Sequence, residues 1–224
     1  MVQWQDVDTI LLDMDGTLLD LYYDDYFWQQ YVPEQYAVKH GLSVVEAKSL
    51  LEPKFKAHEG TLAWYCVDFW SQQLGLNIPR LKQDCCHLIA IHPGVEIFLN
   101  EVGGGEKRLL MVTNAHTKVI DLKFKKTGID KYFDVIVSSH ELGFPKEDVL
   151  FWEQLVRQEV FDPYRTLFID DSLPILHTAK IFGIRHLLTI KQPSSQGLQR
   201  MNQDFPVLDS FLDILPSRAQ VSLR

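Results

Sequence analysis

The sequence predicts an α/β protein, with a three-layer Rossmann-like parallel sheet and a small all-helical cap domain inserted after the first strand. The first observation is a short apolar run that ends at Asp13, which is typical of a buried parallel strand. The second is the absence of any convincing strand pattern across residues 21–91. The third is the alternation of helix and strand patterns after Pro93, which implies right-handed crossovers between parallel strands. We therefore expect a core domain of residues 1–20 and 92–224 and a cap domain of residues 21–91.

Each further element follows from local signals. In the cap, Ser43 and Glu46 form the pattern of a capping box that opens a helix through Leu51. An apolar periodicity over residues 61–74 predicts a second helix, and Gly75 is a typical helix end. In the core, strands are predicted over 108–113, 134–138, 166–169 and 186–190, and helices over 93–102, 117–127, 147–159, 172–182 and, more weakly, 209–215.

Composition restricts the class of partner. The net charge of −8 argues against nucleic acids and anionic membranes as binding partners. No apolar stretch is long enough to span a bilayer. The first residues lack the basic and apolar regions of a secretory signal. Three cysteines, two of them adjacent, make a poor disulfide framework. We expect a cytoplasmic protein, a monomer or weak homodimer, that binds neither nucleic acid nor membrane.

Two aspartates follow the first strand and mark a candidate site. Asp13 and Asp15 precede Gly16 and Thr17, and ligands of open α/β sheets bind just beyond the carboxyl ends of the strands. Paired carboxylates repel each other, so it is costly to place two side by side unless a cation or a specific reaction requires them. The alternative is an edge strand followed by a solvated Asp-Gly turn.

Three later segments reach the same edge of the predicted sheet. The second strand ends at Thr113 and Asn114, whose hydroxyl and amide suit phosphoryl oxygens. Lys146 follows a restricted Gly-Phe-Pro turn and can neutralise acids and an incoming dianion. Asp170 and Asp171 follow the fourth strand, although Asp171 alone could be only a helix N-cap. Up to four acids at one edge require a hard divalent cation, and oxygen ligands with a phosphate substrate favour Mg²⁺.

The order Asp-Met-Asp-Gly-Thr, Thr-Asn, Lys and Asp-Asp resembles the haloacid dehalogenase-like superfamily, and the helical insertion looks like the cap of its subfamily I. The resemblance implies that Asp13 is a nucleophile and Asp15 a general acid and base. It also implies that Thr113 and Lys146 hold the phosphoryl group. The metal ligands that it implies are Asp13, Asp171, Asp170 and, through its backbone carbonyl, Asp15.

Further segments, among them Trp64-Tyr65-Cys66 and the run from Gly143 to Asp148, look like the bacterial GMP/IMP nucleotidase group. That resemblance implies hydrolysis of purine 5′-monophosphates through an aspartyl-phosphate. Aromatic side chains of the cap would stack on the purine, unless they form the cap's own core. The residues expected to bind substrate are Gly16, Thr17, Asn114, His116, Trp28 and Tyr65.

Other functions remain open from sequence. A sugar phosphatase, a phosphoglycolate phosphatase or a phosphomutase could use the same scaffold, although the segment Leu21–Pro33 contains no cation for a second phosphate. A dehalogenase is disfavoured, because that branch lacks the second aspartate and needs no metal. A catalytically idle phosphate-binding regulatory module is the non-enzymatic alternative.

Overall fold

The centre of the molecule is a six-stranded parallel sheet, in a computed structural model that describes residues 2–200 and 204–216. The strand order is β3-β2-β1-β4-β5-β6, so the first strand lies in the middle of the sheet. This confirms the predicted α/β class. The strands are β1 (Thr9–Leu12), β2 (Arg108–Thr113), β3 (Val135–Ser138), β4 (Thr166–Ile169), β5 (His186–Ile190) and β6 (Val207–Leu208).

Helices account for most of the rest. Those between β1 and β2 are α1 (Tyr22–Tyr26), a π-helical turn (Phe27–Tyr31), α2 (Val32–His40), α3 (Val44–Lys56), α4 (Leu62–Tyr65), α5 (Val67–Leu74), α6 (Ile78–Asp84) and α7 (Val95–Val102). Those after β2 are α8 (Thr117–Thr127), α9 (Ser139–Leu142), α10 (Val149–Gln158) and α11 (Leu173–Phe182).

The sheet is the middle of three layers, because side chains that alternate along its strands pack against helices on both of its faces. Successive side chains of a strand point to opposite faces of the sheet. Ile10 and Leu12 of β1 therefore pack into one apolar cluster with α7 and α8, whereas Leu11 packs into another with α10 and α11. All four residues of β1 are buried, which explains the uninterrupted apolar run in the sequence.

The helical insertion, residues 21–91, joins the core through two adjacent segments. Leu19 and Ile91 form an antiparallel bridge, the Asp20 N–H donates to the Ala90 carbonyl at 2.9 Å, and the His92 N–H donates to Leu18 at 2.9 Å. Residues 21–90 are all described and contain helices and turns without a strand. The division of the chain into two domains at these bounds stays a proposal.

Several predicted elements differ from the observed ones. The capping box of Ser43 and Glu46 is present, and the helix it opens extends to Lys56. The predicted helix over 61–74 is two helices, because the chain is extended at Cys66, whose Sγ accepts the Phe69 N–H at 3.4 Å.

The first turns of two core helices also differ. The helix predicted from Pro93 begins at Val95, after Gly94 adopts a left-handed φ of +82°. Ser172, and not Asp171, is the N-cap of α11. The short elements α9 and β6 were not predicted. Within residues 2–200 and 204–216, no helix has the length and apolar character that crossing a bilayer requires.

Candidate active site

Three buried aspartates meet at the carboxyl edge of the sheet. Asp13 follows β1, while Asp170 and Asp171 follow the neighbouring strand β4, and the Asp13 N–H donates to the Ile169 carbonyl at 3.0 Å. One carboxylate oxygen from each aspartate lies within 4.8 Å of the others. We call these three residues the acid cluster.

Lys146 reaches the acid cluster from the loop before α10. Its ammonium group donates to Asp13 Oδ1 at 2.5 Å, to Asp170 Oδ2 at 2.6 Å and to the Val112 carbonyl at 3.1 Å. The side chain is 1% exposed. The lysine therefore lies between two aspartates that follow adjacent strands.

The acid cluster has more negative charge than Lys146 neutralises. Burial raises the pKa of Asp13 to about 7 and that of Asp171 to about 7, and burial raises the pKa of Asp170 to about 6 in spite of the adjacent ammonium group. For Lys146, burial favours the neutral amine, but the two carboxylates outweigh it and raise its pKa. An excess of buried carboxylate oxygen is the donor set that a hard divalent cation requires. The three aspartates thus fit a metal site.

Gly16 allows the loop after β1 to approach the acid cluster. Its φ is +86°, and a Cβ there would lie 2.7–2.9 Å from the carboxyl atoms of Asp171. A side chain at this position would be strained at that φ and would displace the Asp171 carboxylate. The Gly16 N–H donates to the Leu19 carbonyl at 2.8 Å, so this N–H is engaged within the loop. Thr17 is fully buried, and its hydroxyl has no hydrogen-bond partner in the described part of the chain.

Asp15 belongs to a second group of charges. Its carboxylate accepts from Lys123 Nζ at 2.5 Å, and the same ammonium donates to Asp24 Oδ2 at 2.7 Å. Asp24 also accepts from Lys82, whose ammonium lies 4.3 Å from the Phe27 ring centroid. We call Asp15, Asp24, Lys82 and Lys123 the four-charge cluster. Because its carboxylate is turned to Lys123, Asp15 stands outside the group of three that could share one cation.

Burial acts against every charge in the four-charge cluster, and its balance with the charged partners differs between the two aspartates. For Asp24, burial is outweighed by Lys123 and Lys82, which hold its pKa well below the ordinary range. For Asp15, burial dominates and raises the pKa although Lys123 opposes it. An aspartate that retains a proton more readily than usual suits a general acid.

Thr113 ends β2 and Asn114 follows it, beside the acid cluster. The Thr113 hydroxyl oxygen accepts the Ala115 N–H at 3.0 Å, which leaves its own proton for an acceptor in the site. The Asn114 amide donates to Glu147 at 2.9 Å and its carbonyl oxygen accepts the Lys146 N–H at 2.9 Å. Asn114 therefore holds the loop that carries Lys146 and Glu147 through both the nitrogen and the oxygen of its side-chain amide.

Tyr65 connects the helical insertion to this loop. Its hydroxyl donates to Glu147 Oε1 at 2.5 Å, while the other oxygen of that carboxylate accepts from Asn114. A second connection is made by Lys118, which donates to both oxygens of Asp68 at 2.7 Å. These contacts hold the insertion against the sheet edge.

A cavity of about 750 Å³ lies between the sheet edge and the insertion. This volume is typical of pockets for molecules much larger than phosphate. Asp13, Asp15, Thr113 and Lys146 line it, and so do the other predicted site residues Asn114, Asp170, Asp171, His116, Trp28 and Tyr65. Gly16 and Thr17 are not part of its lining.

Trp28 and His116 have protein neighbours as well as the cavity. Trp28 packs edge-on against Phe27, with ring centroids 5.0 Å apart. The His116 ring lies 5.0 Å from that of His140, and burial lowers the pKa of His116 although Asp68 opposes it. Both residues combine packing with exposure to the cavity.

Sequence reasoning missed five charged residues near the site. Lys123 follows the buried Val119 and Ile120 at helical spacing, and this placement on an apolar face is the signal that could have found it. Arg200 donates to the Asp171 carbonyl at 2.6 Å and to its carboxylate at 3.1 Å, from a polar segment without periodicity. The remaining missed residues are Asp24, Lys82 and Glu147.

Comparison with known proteins gives concordant matches. A family model for haloacid dehalogenase-like hydrolases matches residues 7–183. The chain is 39% identical over 216 residues to GMP/IMP nucleotidase YrfG of Escherichia coli (strain K12), covering 96% of this chain and 97% of that protein. The protein of the same name from Shigella flexneri gives the same values.

Solved structures show the same fold. A HAD phosphatase from Thermococcus onnurineus matches with a TM-score of 0.78 at 20% identity, covering 93% of this chain and 96% of that one. An L-2-haloacid dehalogenase from Xanthobacter autotrophicus matches with a TM-score of 0.62 at 15% identity, over 93% and 96% of the two chains. At these identities the structures establish the fold and leave the substrate open.

Proposed function

We propose that this chain, which belongs to the haloacid dehalogenase-like hydrolase family, is a phosphatase. It depends on Mg²⁺ and hydrolyses GMP and IMP. The observation that carries the substrate assignment is the 39% identity, over 96% of this chain, to a protein named GMP/IMP nucleotidase. The chemistry is supported independently by the acid cluster, Lys146 and the cavity above them.

Asp13 is the proposed nucleophile. A carboxylate oxygen of Asp13 forms a bond to phosphorus while the bond from phosphorus to the 5′-oxygen breaks. Asp15 gives its proton to the leaving 5′-oxygen and then takes a proton from the water that attacks the aspartyl-phosphate. The second displacement releases inorganic phosphate and restores both aspartates. The raised pKa of Asp15 supports this role.

The phosphoryl oxygens need positive charge and donors in the transition state. Lys146 lies 2.5 Å from Asp13 and supplies a buried ammonium group there. The Thr113 hydroxyl, whose oxygen accepts from Ala115, keeps its proton free for a phosphoryl oxygen. Asn114 and Glu147 hold the backbone and loop from which Lys146 extends.

The acid cluster would hold the metal. Asp13, Asp170 and Asp171 supply three carboxylates, and a backbone carbonyl from Asp15 completes the ligand set in our proposal. When bound, Mg²⁺ neutralises charge on the nucleophile and on the phosphoryl oxygens. We further propose a cytoplasmic monomer or weak homodimer, and a cap that excludes water from the first displacement.

A substrate panel tests the proposed function. Purified protein with Mg²⁺ should release phosphate from IMP and GMP with higher kcat/KM than from AMP, ribose 5-phosphate, glucose 1-phosphate or phosphoglycolate. Removal of the metal with EDTA should abolish release, and added Mg²⁺ should restore it. Equal rates on sugar phosphates and nucleotides would point to a sugar phosphatase, and interconversion without release would point to a mutase. No turnover of any substrate would leave a binding module.

A further inference from the structure

Helix α3 lines the cavity with charged side chains that have no protein partner. Lys48, Glu52 and Lys56 recur at every fourth residue and therefore share one helix face. None of their side chains makes a hydrogen bond or ion pair with any residue in 2–200 or 204–216. Elsewhere, opposite charges four residues apart do pair, as Arg80 does with Asp84 at 3.4 Å. The charges on α3 are thus available to a ligand in the cavity.

Aromatic rings lie beside these charges. Phe55, three residues after Glu52, packs edge-on against Trp28 with centroids 5.7 Å apart and against Trp64 with centroids 6.2 Å apart. All three rings line the cavity and are partly exposed. A planar heterocycle can stack on such a surface.

The aromatic surface is joined to the phosphate end of the cavity. Trp64 precedes Tyr65, whose hydroxyl donates to Glu147, and Glu147 accepts from Asn114 beside the acid cluster. The same cavity is lined by Asp13 at one place and by the aromatic rings, Glu52 and Lys56 of α3 at another. A ligand longer than phosphate, with its phosphate at Asp13, can therefore contact the charged face of the helix within this one cavity.

We propose that Glu52 and Lys56 recognise the edge of a 6-oxopurine base, an inference that rests on the proposed function. The Glu52 carboxylate accepts the proton on N1, and the Lys56 ammonium donates to O6. In guanine the 2-amino group donates to the second oxygen of Glu52. Adenine carries a 6-amino donor in place of the O6 acceptor and an unprotonated N1, so both contacts become unfavourable.

Single substitutions separate this recognition from the chemistry. Glu52→Gln and Lys56→Met are exposed changes that should leave the fold intact, and thermal unfolding checks this. Each should lower kcat/KM for IMP about tenfold, mainly through KM, the factor expected for one exposed charge-assisted hydrogen bond. Neither should lower kcat/KM for purine riboside 5′-monophosphate, which lacks both O6 and the N1 proton. Lys54→Met on the same helix, outside the cavity lining, and Glu34→Gln on α2 are matched controls.

The outcomes distinguish the inference from the proposed function. If the wild-type protein does not prefer IMP to AMP, the proposed function fails before any variant is made. If the wild-type protein prefers IMP and both variants retain that preference, residues other than Glu52 and Lys56 recognise the base. In that case only this inference is wrong. An equal loss on IMP and on purine riboside 5′-monophosphate would also overturn it, because the effect would then not depend on the base edge.

Discussion

Residues 2–200 and 204–216 include two clusters of lysine and aspartate, one buried and one partly buried, that differ in charge balance. The acid cluster sets three aspartates against the buried Lys146 and the partly exposed Arg200, and burial raises the pKa of all three carboxyl groups. The four-charge cluster sets two aspartates against two lysines, and its Asp24 has a lowered pKa because Lys123 and Lys82 outweigh burial. The two clusters are built from the same residue types.

The difference in balance separates a candidate metal site from a cluster whose charges are paired internally. Buried charges are stable when they are paired and hydrogen-bonded. The four-charge cluster meets this condition internally and joins α1, α6 and α8. The acid cluster does not, so an added cation should stabilise it. Of the two clusters, the unbalanced one is where we propose that a metal and a phosphate bind.

The largest expected effect is the loss of turnover in Asp13→Asn. The amide cannot attack phosphorus, so kcat should fall at least about a thousandfold, as for other covalent nucleophiles. The matched change in the four-charge cluster, Asp24→Asn, should retain turnover while lowering stability. Phosphate release measured on folded protein decides this, and residual activity in Asp13→Asn near the wild-type level would remove it as nucleophile.

The next largest effect is on stability. Lys123→Met leaves Asp24 and Asp15 without their shared partner and should lower the free energy of unfolding by about 3–5 kcal/mol. Lys146→Met also leaves buried carboxylates uncompensated, but those carboxylates can bind Mg²⁺. Urea unfolding with and without the metal should therefore show recovery of Lys146→Met and none of Lys123→Met. Equal recovery of both variants would contradict the distinction between the clusters.

A smaller effect concerns pH. An aspartate whose pKa is raised in the folded state binds more protons than in the unfolded chain, so metal-free stability decreases as pH rises from about 4 to about 7. Asp171→Asn removes one such group. Relative to the wild type, this variant should gain on the order of 2 kcal/mol between pH 5 and pH 7. Comparing the two proteins cancels the histidines they share.

The measurement is thermal or urea unfolding in EDTA at several pH values. Asp24→Asn is the control, since the lowered pKa of Asp24 makes its contribution change only below about pH 4. If stability depended on pH in the same way in the wild type and in Asp171→Asn, folding would not raise the pKa of Asp171. In that case the charge imbalance of the acid cluster would not hold.

Sequence patterns predicted the sheet well because its strands are short apolar runs ended by polar residues. The strands at 108–113, 166–169 and 186–190 have the predicted bounds. The short strand β6 was missed, since two residues give no periodicity. The break at Cys66 was missed because the apolar spacing continues across it. Helix starts shifted by one or two residues where Gly94 and Ser172 set the first turn.

The acid cluster was predictable for a physical reason. Parallel strands end at one edge, so residues that directly follow β1, β2 and β4 must be neighbours. The four-charge cluster was not, because Lys82 and Asp24 are 58 residues apart and meet only when α1 and α6 pack. Arg200 likewise reaches Asp171 from an irregular segment. The roles of these residues in turnover stay predictions that the variants above will test.

The bridge between Leu19 and Ile91 has a consequence for how the chain can be altered. The insertion leaves and re-enters the core at one point, so its length places no demand on the distance between β1 and β2. A change of length within the insertion therefore need not alter the spacing of the strand ends. Redesign of substrate preference in this chain is therefore best confined to residues between those two positions.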